Sequence, residues 1–192
     1  MKPNPAELHQ ITPEIAIWHR YDPQVKADLF SSALRTPDGL FLVDPIQLDE
    51  ESLARVTSGV APAAVIVTNS NHFRDSASFA ERFGISVITA AQSTEFETDE
   101  LSVIAIEGAA PGEIALHWPR GGGTLIIGDA LINFGSHGFT FLPAKYATNA
   151  RLMRKSLRTL LDLSFARILF AHGTPITTRA QERLAALLDE EQ

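Results

Sequence analysis

The chain has 192 residues, 45% hydrophobic and 20% charged, a balance that supports a buried core and excludes a fibre or a disordered tail. Its formal net charge of −7 and pI of about 5.3 argue against bulk electrostatic capture by nucleic acid or anionic lipid. With no cysteine, disulfides, thiolate metal sites and cysteine nucleophiles are excluded, so any transition metal falls to His, Asp, Glu or Asn.

The N-terminal MKPNPAELHQITPEIAIWH is broken by proline and has no continuous apolar core of a signal peptide. No stretch reaches the roughly 18 apolar residues of a membrane span. The expectation is a soluble, cytoplasmic protein with no membrane or nucleic-acid partner, its 192 residues forming one domain.

Residues 14–19 (EIAIWH) alternate as a half-buried strand does. Residues 28–35 and 40–43 flank Thr36-Pro37-Asp38-Gly39, whose proline presets φ and whose glycine accepts positive φ, so a hairpin is predicted. A short helix follows over 49–56, with acids in its first turn. The β-branched run 63–67 (AAVIV) predicts a buried strand. Residues 75–83 predict a helix closed by Gly84, and 85–89 a further strand. Strand, helix, strand is the order of a parallel crossover.

After Ala90 the pattern changes. Short strands at 101–106, 113–118 and 124–127, separated by Pro-Gly and Gly-Gly-Gly, predict an antiparallel meander. Asn149 is a suitable N-cap for a helix that aligns Leu152, Met153, Leu157, Leu160 and Leu161. Residues 167–170 (RILF) predict a strand and 177–188 a last helix. Arg151, Arg154, Lys155 and Arg158 share the outer side of the Asn149 helix and read as a solvated face.

Four polar loops follow apolar strands: Asp44-Pro45, then Thr68 to Asp75, then Gly128-Asp129-Ala130, then Ala171-His172-Gly173-Thr174-Pro175. Loops beyond strand ends are where α/β proteins build sites. This ordered set resembles the metallo-β-lactamase superfamily over most of the chain. The resemblance implies an α/β (α+β) fold, a four-layer αββα sandwich of two mixed sheets with helices outside.

It also implies a metal site, and there the chain departs from the family. The family loop Thr-His-x-His-x-Asp-His falls here on Asn69, Asn71, Phe73 and Arg74. A further family histidine falls at Ala109. Only Asp129 and His172 match ligand positions. Phe73 and Ala109 cannot coordinate, and Arg74 repels a cation, so the usual dinuclear site is not expected. Arg74 is expected to take up part of the metal's charge role by pairing with Asp129.

Two readings remain open. In one, the chain is a hydrolase of an ester, amide, thioester or phosphoester, with one zinc, manganese or iron ion at most. His72, Asp129 and His172 would hold the ion, with Asp129, His172 and Arg74 as the catalytic set. Asn69, Asn71 and His137 would bind substrate. In the other, the same polar floor binds a small molecule without metal or catalysis, and His72 is only a solvated loop residue. Asp44 reads as a loop tie accepting backbone N–H groups. His9, His19 and His117 read as structural or solvated. Phe134, Phe139 and Phe141 would serve as a lid or as the contact of a homo-oligomer.

Overall fold

A computed structural model describes residues 5–93, 96, 98, 100–134 and 138–190. Its first sheet has six strands in chain order: β1 (Glu7–Gln10), β2 (Ile15–Asp22), β3 (Ala27–Thr36), β4 (Gly39–Val43), β5 (Pro62–Ile66) and β6 (Ser86–Ile88). β1 to β4 pair antiparallel, while β4, β5 and β6 are mutually parallel. Helices α1 (Glu50–Thr57) and α2 (Ser76–Phe83) make the two crossovers.

β7 (Ser102–Ala105), β8 (Ile114–Trp118) and β9 (Thr124–Ile127) form the expected antiparallel meander. β10 (Leu131–Phe134) and β11 (Gly138–Phe141) pair as a separate ribbon. Helix α3 (Ala150–Thr159) leads to β12 (Arg167–Phe170), which joins β9 in parallel, and α4 (Ala180–Asp189) follows. The second sheet thus runs β12-β9-β8-β7.

Period-two alternation makes the layers. In β4, Leu40 and Leu42 face α1 and α2 together with Trp18, Leu53, Val56 and Phe79. Phe41 and Val43 point the other way, into a core shared with Leu116, Ile126 and Leu169 of the second sheet. In β9, Leu125 and Ile127 turn outward to Met153 and Leu157 of α3 and Leu184 and Leu188 of α4. Helix, sheet, sheet, helix is therefore the only stacking that covers every apolar face. No helix among the described residues is long and apolar enough to cross a membrane.

Local chemistry sets the helix ends. Asp49 accepts from the Ser52 N–H at 2.7 Å, Asn149 accepts from the Leu152 N–H at 3.0 Å, and Gly84 adopts φ 65° to close α2. α4 begins three residues later than expected, because Arg179 is left-handed at φ 54° and stops the helix from reaching back.

The lid expectation is corrected for two of its three aromatics. Phe141 is buried, and Phe139 packs on the same core against Phe170, with ring centroids 5.7 Å apart. The β10–β11 ribbon turns these rings inward. Nothing is described of the Phe134 side chain.

Candidate active site

The two sheets are tied by backbone at one end. The Thr68 carbonyl, just past β5, accepts from Ile114 at 2.8 Å, and the Ala171 carbonyl, past β12, accepts from Phe30 at 2.9 Å. The four polar loops meet there. Asp44 follows β4, Thr68 to Arg74 follow β5, Asp129 follows β9 and His172 follows β12.

Asp129 is the centre. Its Oδ1 lies 3.2 Å from His72 Nε2 and 3.4 Å from His172 Nε2. The three donor atoms all fall within 4.8 Å of one another. Both imidazoles are held from behind. His72 Nδ1 lies 3.0 Å from Asp44 Oδ2 and 2.9 Å from the Thr68 hydroxyl, and His172 Nδ1 lies 3.3 Å from the Asp28 carbonyl. A carboxylate or carbonyl on Nδ1 accepts the proton there, which makes Nε2 the atom each ring turns to the site.

Asp44 is buried with φ 47°, a conformation that costs a non-glycine residue about 1 kcal/mol or more. Its carboxylate accepts from the Thr68 N–H at 2.8 Å and from the Thr68 hydroxyl as well as facing His72. It is thus more than a loop tie, since it orients one of the three converging groups.

Arg74, also left-handed at φ 41°, does not pair with Asp129 as expected. Its guanidinium donates to the carbonyls of Phe30, Asp44 (3.0 Å) and Ala171 (3.2 Å). It lines the cleft but is committed to tying β3, β4 and β12 together at the site's edge. The planar guanidinium reaches all three carbonyls at once, adding to the donors that Ala171 has in the Phe30 N–H and Asp44 has in the Ser31 hydroxyl.

Asn69 lies behind Asp129 rather than in the cleft. It is 2% exposed, its amide nitrogen donates to Glu113 Oε2 at 2.7 Å and Asp129 Oδ2 at 3.2 Å, and its oxygen accepts from the Asn71 N–H. Buried there, it positions carboxylates, where the sequence alone suggests a place on the substrate floor. Asn71 is exposed and lines the cleft. His137 lies outside the described residues.

Glu113 escapes sequence reasoning. The family histidine falls at Ala109, but that residue is wholly buried in the core under α3, its carbonyl capping Thr148. The acid four residues on enters the site instead. Its Oε1 accepts from the Ala130 N–H at 2.9 Å, next to Asp129. A lone acid between Pro-Gly and an apolar strand is the one available signal. Gly128 makes room for it, since a Cβ there would lie 2.8 Å from Glu113 Oε1 and 2.7 Å from the Thr68 hydroxyl.

Burial disfavours every charge here, so the partners decide. Asp44, with the hydrogen bonds that both carboxylates accept from the ring, overcomes burial and pushes His72 up to about 9. The hydrogen bond and charge of His72 overcome burial at Asp129 and lower it to about 2. Asp44 is lowered against its burial by His72, Arg74 and Thr68. Burial and the charge of His72 lower His172 to about 4. Burial, with Asp129 nearby, raises Glu113 to about 8. At neutral pH, His72 and Arg74 therefore balance Asp44 and Asp129, while Glu113 and His172 are neutral.

These shifts predict the pH dependence of folding. Glu113 and His72 are both raised, so their contributions are complete below their unfolded values of 4.5 and 6.5 and are lost as pH rises through about 8 and about 9. Between pH 6.5 and 8 both groups act, each removing about 1.4 kcal/mol per pH unit in the ion-free protein. Glu113→Gln should halve that slope, whatever constant offset its lost bond to Asn69 introduces. Urea midpoints across this window test it, and an unchanged slope would refute the buried-acid reading.

A cleft of about 1250 Å³ opens over this floor. Asn71, His72, Asp129 and His172 lie at its base. Arg20, Val25 and Leu29 form one wall, and Ile132, Leu142 and Tyr146 another. The opening is large enough for a small organic molecule and its walls are mostly apolar.

A family model described as the metallo-β-lactamase superfamily matches residues 7–190. Solved structures share the architecture at low identity. A metallo-β-lactamase from Erythrobacter litoralis, with β-mercaptoethanol in its active site, has a TM-score of 0.71 at 15% identity, covering 99% of each chain. One from Hirschia baltica has 0.71 at 12%, covering 96% of this chain and 98% of that one. One from Pontibacter korlensis has 0.71 at 15%, covering 97% and 100%. No curated protein matches the chain by sequence.

Proposed function

The chain belongs to the metallo-β-lactamase superfamily, and on that premise we propose that it is a hydrolase with a single divalent ion held by His72, Asp129 and His172. One observation carries this reading: two Nε2 atoms converge on one Asp129 oxygen while both Nδ1 atoms are anchored from behind. Two imidazoles and a carboxylate at the base of an open cleft suit a catalytic zinc, manganese or iron ion, which needs about three protein ligands and a free position.

An ion bound there lowers the pKa of water and polarises a carbonyl or phosphoryl oxygen. The chain's own residues do the rest. Asp44 holds the His72 Nδ1 proton, so that Nε2, once its own proton leaves, would be the atom offered to the ion. Asn69, itself held by Glu113, donates to the second Asp129 oxygen, so that the first faces the cleft. Asn71 offers an exposed amide to a substrate on the floor. The apolar walls favour an ester, amide, thioester or phosphoester with a nonpolar body.

A second reading has its own support. The charged His72 already bridges Asp44 and Asp129, which neutralises the floor without an ion. The fold would then present a hydrogen-bonded cleft to a small molecule without catalysis. Metal content separates the two. Protein purified without an affinity tag should hold one equivalent of zinc, manganese or iron at this site, lose that equivalent in His172→Ala, and hydrolyse members of an ester panel only without chelator. A folded protein that takes up no ion at this site would sink the hydrolase reading and favour the second.

A further inference from the structure

A second cluster lies on the outer edge of the six-stranded sheet, and none of its three residues lines the cleft. The antiparallel register of β1 and β2 sets Glu7 opposite His19 and His9 opposite Ile17. Period two then places Glu7, His9 and His19 on one face. The imidazoles of His9 and His19 stack with centroids 5.4 Å apart and planes 9° from parallel, and His19 stacks in turn on Phe30 at 4.7 Å. Phe30 is buried, so it holds the His19 ring in place.

The Nε2 atoms of both rings lie near one Glu7 oxygen, at 3.9 Å from His9 and 3.8 Å from His19, with the three atoms within 4.8 Å of one another, and a turn of the exposed His9 ring would bring both lone pairs onto one ion. These separations exceed a hydrogen bond. They are only a few tenths of an ångström wider than the roughly 3.4 Å between ligands of a tetrahedral ion with bonds of ~2.0–2.1 Å. Among the described residues no hydrogen bond engages these three side chains.

We propose that Glu7, His9 and His19 bind one transition-metal dication of the zinc and nickel class. Two imidazole nitrogens with one carboxylate favour such ions over calcium or magnesium, which take oxygen. His9 is 51% exposed and His19 24% exposed, which leaves room for water in the remaining positions. The ion cross-links the edge strand β1 to β2, so its binding protects residues 7–10 from local opening. The site is independent of the proposed catalytic centre and shares no residue with it.

The test is zinc binding to tag-free protein, read by equilibrium dialysis and by amide exchange. Beyond the ion proposed at the cleft, wild type should bind a second equivalent that His172→Ala retains and His9→Ala loses or holds at least tenfold more weakly. Zinc should slow amide exchange of residues 7–10 in wild type and leave His9→Ala unchanged. His9 is on an exposed edge strand, so its loss spares the fold; His19→Gln gives a second variant. Equal zinc uptake by His9→Ala and wild type, or exchange at residues 7–10 indifferent to zinc, would overturn the proposal. Complete loss of zinc from His172→Ala would also overturn this site, whereas one equivalent held alike by wild type and His172→Ala would sink the catalytic centre and leave this site standing.

Discussion

Asp44→Asn is expected to destabilise the protein by about 3–5 kcal/mol, because it removes one partner of a buried ion pair, and to weaken ion uptake about 10–100-fold without touching a proposed ligand. Asp44 is 2% exposed and its carboxylate serves the Thr68 N–H, the Thr68 hydroxyl and His72. Asparagine keeps the shape and tolerates the left-handed φ of 47°, so backbone strain does not confound the result. What it loses is charge and one acceptor.

The tautomer is the second consequence. An amide N–H directed at His72 Nδ1 needs that nitrogen to accept. The ring proton then sits on Nε2, where it points at Asp129 and occupies the lone pair an ion would use. Urea unfolding measures the first effect and zinc titration the second. The His72 pKa, followed by ring resonances, should drop well below about 9, because Asp44 supplies the largest of the influences that raise it. A variant that binds zinc like wild type would reduce Asp44 to a loop tie, as the sequence suggests.

The layers are readable in the sequence because alternation is local. Leu40 to Val43 and Ala64 to Val67 assign their own faces residue by residue, and Asp49, Gly84 and Asn149 mark helix ends within a few positions of the residues they cap. β1 is not readable, since ELHQ carries no alternation and is exposed along most of its length. The β10–β11 ribbon is hidden for the opposite reason: its aromatics resemble surface loop residues until the fold supplies Phe170 as their neighbour.

The site divides in the same way. The loops carrying Asp44, His72, Asp129 and His172 stand at strand ends that sequence can locate. Which side chain faces which is another matter. Glu113 acquires its meaning from Asn69, 44 positions away, and from Ala130, 17 away. Asp75 looks like the start of a helix, yet its carboxylate makes no cap bond and instead accepts from the Gln47 N–H. A charged side chain suits several partners equally well in sequence, and only the assembled backbone chooses among them.

For Arg74 that choice has measurable consequences. Arg74→Met should cost stability on the order of 3 kcal/mol, since three carbonyls lose a charged donor. It should also tighten ion binding about fivefold, roughly 1 kcal/mol, because a buried cation that feels Asp129 no longer opposes a second one. Stability and affinity thus move in opposite directions. Arg74→Lys separates the causes: the ammonium restores the charge, and with it wild-type ion affinity, but it lacks the planar fork that spans three carbonyls and leaves most of the stability loss in place. If Arg74→Met instead weakened ion binding in proportion to its loss of stability, the guanidinium would be acting on Asp129 itself. The arginine would then stand in the site as a charge partner, and not behind it as a brace between strands.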